Sequence, residues 1–168
     1  MSAAKSSGTF LMKSEQGARR AYASLRIRGD SLDPDQVTRL LRVFPSIAYA
    51  KGMKYHAGER TGELVGRTGV WLLSTKEIVA SENLYHHLLF IVGILVPDHK
   101  DFIPLTQLRV LLAKQKDLHA DVACFWHGRY GEKRPSIPRA ITEFLKLIPA
   151  ELEVDFETDS EETEHRQA

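Results

Sequence analysis

His86 and His87 stand side by side, Cys124 is the chain's one cysteine, and His119 and His127 flank it. These are side chains that can hold a metal or attack a substrate. Consecutive residues on a helix point roughly 100° apart, so His86 and His87 do not share one metal ion. Neither stands in a ligand spacing with His119 or His127 that a zinc site would use. The spacing assigns no metal, and one of the pair is expected as a polar contact at the rim of the core. Cys124 sits in an apolar run two residues before Trp126. A nucleophilic thiol needs an electropositive, partly exposed setting and a base within reach. On a strand His127 points away from Cys124, so a buried, inert cysteine is expected. No phosphate-cradling glycine loop, nucleophile elbow or zinc-protease helix is present. No catalytic residue, metal or cofactor is assigned, and the expectation leans away from an enzyme.

Binding chemistry is better represented. Tyr22, Arg26 and Arg28 recur at even positions of one strand, and with Trp71 or Trp126 on the same sheet face they would make a platform. Lys51, Lys54, Arg60 and Arg67 interleave with Tyr49 and Tyr55, a composition that can meet phosphate or single-stranded nucleic acid. No segment carries the Lys/Arg-Gly-Phe type of RNA-recognition signature, and the acidic end of the chain would compete, so a solvated loop is expected and nucleic acid is not favoured as a partner. A cleft near Trp71, His87 and Trp126 is the alternative, small-ligand or enzymatic, use of the same residues.

These side chains need a frame. Ala21–Arg28 alternates apolar and polar, which reads as a half-buried strand. Asp33-Pro34-Asp35-Gln36 is a helix start, with Asp33 as cap, Pro34 at the first helical position and Gln36 placed for a capping box. Val37, Leu40, Leu41 and Phe44 give that helix one apolar face, and Pro45 ends it. The long connection 46–68 is rich in glycine, with short strands expected near 47–51 and 63–67. A connection of that length is functional or mobile. Val70–Ser74 is a second strand. Ser81 is placed to cap the next helix, on which Leu84, Leu88, Ile91 and Leu95 form a stripe that Leu89, Val92 and Val96 widen, so neighbours must wrap it. Leu105, Leu108 and Leu112 mark a helix over Pro104–Lys114. His119–Trp126 has apolar residues on both faces and is expected centrally in the sheet. Pro138 opens a last helix with Ile141, Phe144, Leu145 and Ile148, and Glu151–Glu157 is a final strand with Leu152, Val154 and Phe156 inward.

The order of elements predicts an α+β domain over residues 19–157. Residues 1–18 are expected to be disordered, and residues 158–168 to form an acidic, disordered tail. Two strand–helix–strand units favour a ferredoxin-like split βαβ pair, an antiparallel sheet with a helical pair inserted between the halves. A mixed or mostly parallel α/β sheet is the alternative. In the ferredoxin-like order the first and last strands are neighbours, so Arg26 and Arg28 would face Glu153 and Asp155. That pairing would also absorb the uneven charge. Residues 1–67 hold 12 Lys/Arg against 6 Asp/Glu, residues 68–150 hold 10 against 8, and residues 151–168 hold 1 against 8. One cysteine cannot form an internal disulfide, which favours a reducing compartment. The first residues lack an apolar signal region, and the apolar run 88–96 is well short of the roughly 20 residues a membrane span needs. A cytoplasmic location without membrane contact is expected.

Several short stretches, taken in order, resemble a bacterial family, domain of unknown function 4279. They are Ala-Ser-Leu-Arg-Ile-Arg-Gly29, Leu32-Asp-Pro-Asp, Lys51-Gly52, Gly69-Val-Trp-Leu-Leu-Ser74, His86/His87-Leu-Leu, Cys124-Phe-Trp126 and Leu152-Glu-Val-Asp-Phe156. The resemblance spans about residues 21–156. It departs at the last helix, where Ile137-Pro138 replaces an expected Ser-Pro start. It implies a bacterial, cytosolic setting and no particular activity. The leading expectation is a non-catalytic protein-interaction domain, of which a toxin-neutralising, immunity-type role is one concrete version. The candidate binding residues are Tyr22, Arg26, Arg28, Lys51, Trp71, His86, His87 and Trp126.

Overall fold

Alternation places Ala21, Ala23, Leu25 and Ile27 of β1 (Ala21–Gly29) against the core and turns Tyr22, Ser24, Arg26 and Arg28 the other way. The structure, a computed structural model, describes residues 20–56 and 62–160. The termini expected to lack order therefore lie outside the described residues for 1–18 and 161–168, as does Arg60. After β1 come α1 (Pro34–Leu41), β2 (Ile47–Tyr49), β3 (Lys54–Tyr55), β4 (Leu64–Val65), β5 (Gly69–Ser74), α2 (Leu84–Leu95), α3 (Ile103–Lys114), β6 (His119–Gly128), α4 (Arg139–Leu145) and β7 (Ala150–Thr158).

Five strands form one mixed sheet in the order β2-β5-β1-β6-β7, and β3 pairs with β4 as a separate small hairpin. β1 is antiparallel to both β5 and β6, β2 is antiparallel to β5, and β6 runs parallel to β7. The sheet is therefore not antiparallel throughout, and its order is not the ferredoxin-like one. The first and last strands are not neighbours, because β5 and β6 occupy both edges of β1. The reason lies in the last unit. A strand followed by a helix that returns the chain delivers the next strand parallel to the first, and the open edge beside β6 is where it can pair. β6 is central, as its two apolar faces predict.

Local sequence accounts for the helix boundaries. Asp33 caps α1 by accepting from the backbone N–H of Asp35 and Gln36, and Pro34 follows it. The helix ends earlier than its apolar spacing predicts. Arg42 turns left-handed at φ 55°, and Phe44 is 86% exposed rather than on the buried face. Asn83, not Ser81, caps α2 by accepting from Tyr85 N–H. The Ser81 hydroxyl accepts instead from Asn83 N–H. Leu84, Leu88, Ile91 and Leu95 of α2 are all buried, with Leu89, Phe90, Val92 and Ile94 only partly covered.

One hydrophobic cluster joins α1, α2, α3 and α4 to a single sheet face, that of Leu25, Ile27, Trp71, Leu73, Val122 and Cys124. Burying each large side chain in such a cluster contributes about 1.5–3 kcal/mol. The helices thus lie on one side of the sheet.

Candidate interaction face

The other side of the sheet is bare of described helices. Registers across the strands set its rows. Leu72, Arg26 and Asp121 are opposite one another, as are Ser74, Ser24 and Ala123, and Tyr22 stands opposite Phe125. Val70 and Leu72 of β5 give an apolar flank, Arg26 and Arg28 a basic stripe, and Glu151, Glu153, Asp155 and Glu157 of β7 an acidic border.

Five contacts organise this face. Tyr22 and Phe125 stack with ring centroids 4.8 Å apart, and the Lys76 ammonium lies 5.7 Å from the Tyr22 centroid, within cation–π range. Arg26 Nε donates to Asp121 Oδ2 at 3.0 Å while its Nη2 lies 3.6 Å from Glu153. Arg28 Nε lies 3.8 Å from the same Asp121 oxygen. The expected contact of Arg26 with Glu153 is thus present, but it reaches over β6, and Asp121 takes the place nearest both arginines. Asp155 has no ion pair among the described residues. Arg28, Asp30, His119 and Glu151 line an open recess of about 570 Å³ at one end. Lys51 is tied there through its ion pair with Asp30. That ammonium and then the Thr68 hydroxyl hold the Asp30 carboxyl below its ordinary range.

Tyr22, Arg26 and Arg28 share this face, but neither tryptophan does. Trp71 is fully buried on the helix side, where its N–H donates to Thr38 Oγ1 at 3.0 Å. Trp126 is on the helix side too, edge-on to Phe156 with centroids 6.2 Å apart. Trp71 pairs opposite Ile27 and Trp126 opposite Ala21, which places them about 20 Å apart along β1. Phe125 supplies the platform's second aromatic ring. The alternation of Phe125 with Trp126 was visible in the sequence, but which of the two shares a face with Tyr22 depends on the β1–β6 register.

The two histidines part company. His86 is exposed, its Nδ1 2.9 Å from the Ser81 hydroxyl. His87 is fully buried between Thr75 and the Ser81 carbonyl. A carbonyl only accepts, so His87 Nε2–H donates to Ser81. Thr75 Oγ1 accepts from Ala23 N–H, and its hydroxyl has two acceptors in reach, the Ala23 carbonyl at 2.9 Å and His87 Nδ1 at 2.7 Å. The carbonyl already accepts from Thr75 N–H, whereas Nδ1 of the Nε2–H tautomer needs a donor, so the hydroxyl donates to His87. His87 thus pins the start of α2 to the end of β5.

Cys124 is buried, and desolvation pushes its thiol up to about 12. Among the described residues no three His, Cys, Asp or Glu side chains converge as a metal site would need, and no helix is long and apolar enough to cross a membrane.

A small mixed α+β sheet with helices on one face and a charged, aromatic-bearing open face is the class that this architecture defines. The chain belongs to the family described as Domain of unknown function (DUF4279), which matches residues 19–159. No curated protein and no solved structure matches it.

Proposed function

We propose that this chain is a non-catalytic protein-interaction domain that recognises its partner through the bare sheet face. The observation that carries this is the one-sided helix cover. A sheet face holding Tyr22, Phe125, Val70 and Leu72 beside Arg26 and Arg28 combines apolar contact area with fixed charge, the composition of a recognition surface. A bacterial cytoplasmic setting, which the family resemblance and the single cysteine support, suits such a role, and neutralisation of a toxin is one form of it. Nucleic acid is a poorer partner for this face, because Arg26 and Arg28 already meet Asp121, and Lys51 and Lys54 meet Asp30 and Glu63.

Affinity capture from the native cytosol, after nuclease treatment and a salt wash, tests the proposal with two baits. The wild-type chain is expected to retain a stoichiometric protein that a Tyr22→Asp, Arg28→Glu chain loses. A partner retained equally by both baits, or none retained by the wild type, overturns the proposal.

A further inference from the structure

Among the described residues β7 is the last strand of the sheet and pairs only with β6. It runs for nine residues, Ala-Glu-Leu-Glu-Val-Asp-Phe-Glu-Thr, against three in β2 at the opposite edge. A strand paired on one side turns every second residue's N–H and C=O outward, where another strand can join. Edges are normally blunted by proline, lysine, bulges or short length. β7 is long and has no proline, lysine or bulge. Charge also guards edges, but its charges are all carboxylates, which repel an acidic strand and attract a basic one.

Its two faces differ sharply. On the bare side Glu151, Glu153, Asp155 and Glu157 form an unbroken carboxylate row. Glu153 lies 3.6 Å from Arg26 and Glu157 3.6 Å from His127, while Glu151 and Asp155 have no ion pair among the described residues. On the helix side Leu152 and Phe156 are only half-buried and Val154 is 57% exposed. The cause is length. The seven residues of α4 reach about 10 Å, and nine strand residues reach about 30 Å, so Val154 is left without cover.

We propose that the free edge of β7 accepts an added β-strand from a protein partner, one whose side chains alternate Lys or Arg with apolar residues. The inference rests on the interaction reading above and names the chemistry of its partner. Strand addition lets main-chain hydrogen bonds give affinity while the alternate side chains give specificity. Here the basic side chains would lie along the carboxylate row, and the apolar ones would cover Val154. A second copy of this chain is the wrong occupant. Two β7 strands paired about a two-fold axis would set carboxylate beside carboxylate, which is destabilising.

The probe is a synthetic nine-residue peptide alternating Lys/Arg with Val/Ile. Its control has the same composition, with the basic residues in one block and the apolar residues in the other. Calorimetry with the full chain is expected to show the alternating peptide binding about tenfold more tightly than the block peptide, and hydrogen exchange to slow in β7 amides. A Glu151→Lys, Asp155→Lys chain, altered at exposed sites with no ion pairs to lose, should bind the peptide at least about tenfold more weakly.

Equal affinity for the two peptides, binding without slowed β7 exchange, no binding, or self-association of the chain through β7 overturns the inference. The broader reading fails separately. A native partner lost by the Tyr22→Asp, Arg28→Glu chain but kept by the β7 double variant refutes strand addition alone, whereas one kept by both refutes the interaction face itself.

Discussion

Arg26 Nε and Asp121 Oδ2 lie 3.0 Å apart across β1 and β6, joining a one-third-exposed guanidinium to a carboxylate that is 2% exposed. Asp121 Oδ1 has no hydrogen-bond partner among the described residues, so Arg26 and the more distant Arg28 carry its charge. Removing one partner of a buried pair costs more than the pair contributes, because the remaining charge stays desolvated.

Arg26→Ala should therefore destabilise the chain by about 1–3 kcal/mol, below the full penalty of a buried pair because Arg28 remains and Arg26 is partly in water. Asp121→Asn should cost less, since it removes the charge that needs a partner. Urea denaturation of both single variants and the double variant measures the coupling. Equal, additive losses would show that the pair is not coupled.

His127 ties the end of β7 to β6, with Nε2 2.7 Å from Asp159 Oδ1 and Nδ1 3.6 Å from Glu157. The hydrogen bond to Asp159 is the largest cause of a raised imidazole pKa. A pKa raised in the folded state stabilises fully below the unfolded value of about 6.5 and is lost as pH rises through the folded value. Asp159→Asn is thus expected to destabilise at pH 6 and to have little effect once pH exceeds the folded pKa. An NMR titration of His127 should show its midpoint fall toward the ordinary value in that variant. An unchanged midpoint would remove Asp159 as the cause.

The Cys124 thiol, pushed up to about 12 by burial, should be unreactive in the native chain at neutral pH, because the thiolate is the nucleophile. Iodoacetamide labelling followed by mass spectrometry is expected to modify Cys124 only after denaturant is added. Rapid labelling of the folded chain would contradict its burial.

The sequence carried the elements better than their assembly. Period-two alternation marks β1 and β7, a run apolar on both faces marks β6, and the Asp33-Pro34 pair marks the start of α1, because these signals are local. Strand order is not local. Leu152, Val154 and Phe156 alternate identically whether β7 joins β1 or β6, so the ferredoxin-like order and the mixed order were equally consistent with the pattern. The open face was half legible for the same reason. Tyr22, Arg26 and Arg28 share a face by parity within one strand, whereas Phe125 and Asp121 join them only through register. Trp71 and Trp126 are polar-tipped aromatics suited to a half-wet binding surface, yet Trp71 finds its partner inside the core at Thr38.

Two glycines separate close packing from backbone cost. Gly69 pairs opposite Gly29 where β1 and β5 end, and a Cβ on Gly69 would lie 2.8 Å from both the Gly29 carbonyl oxygen and Leu32 Cβ. The obstacles are backbone and a buried residue near its own backbone, which cannot swing aside. Gly69→Ala should cost about 1–3 kcal/mol as overpacking. Gly93 lies within α2, where an added Cβ would meet nothing within 4 Å. There alanine removes only the entropic cost of glycine in a helix, and Gly93→Ala should stabilise by about 0.5–1 kcal/mol. Thermal and urea denaturation of the two variants should move in opposite directions. A destabilising Gly93→Ala would mean that α2 is packed on its far side by something that the helix's own surroundings do not contain.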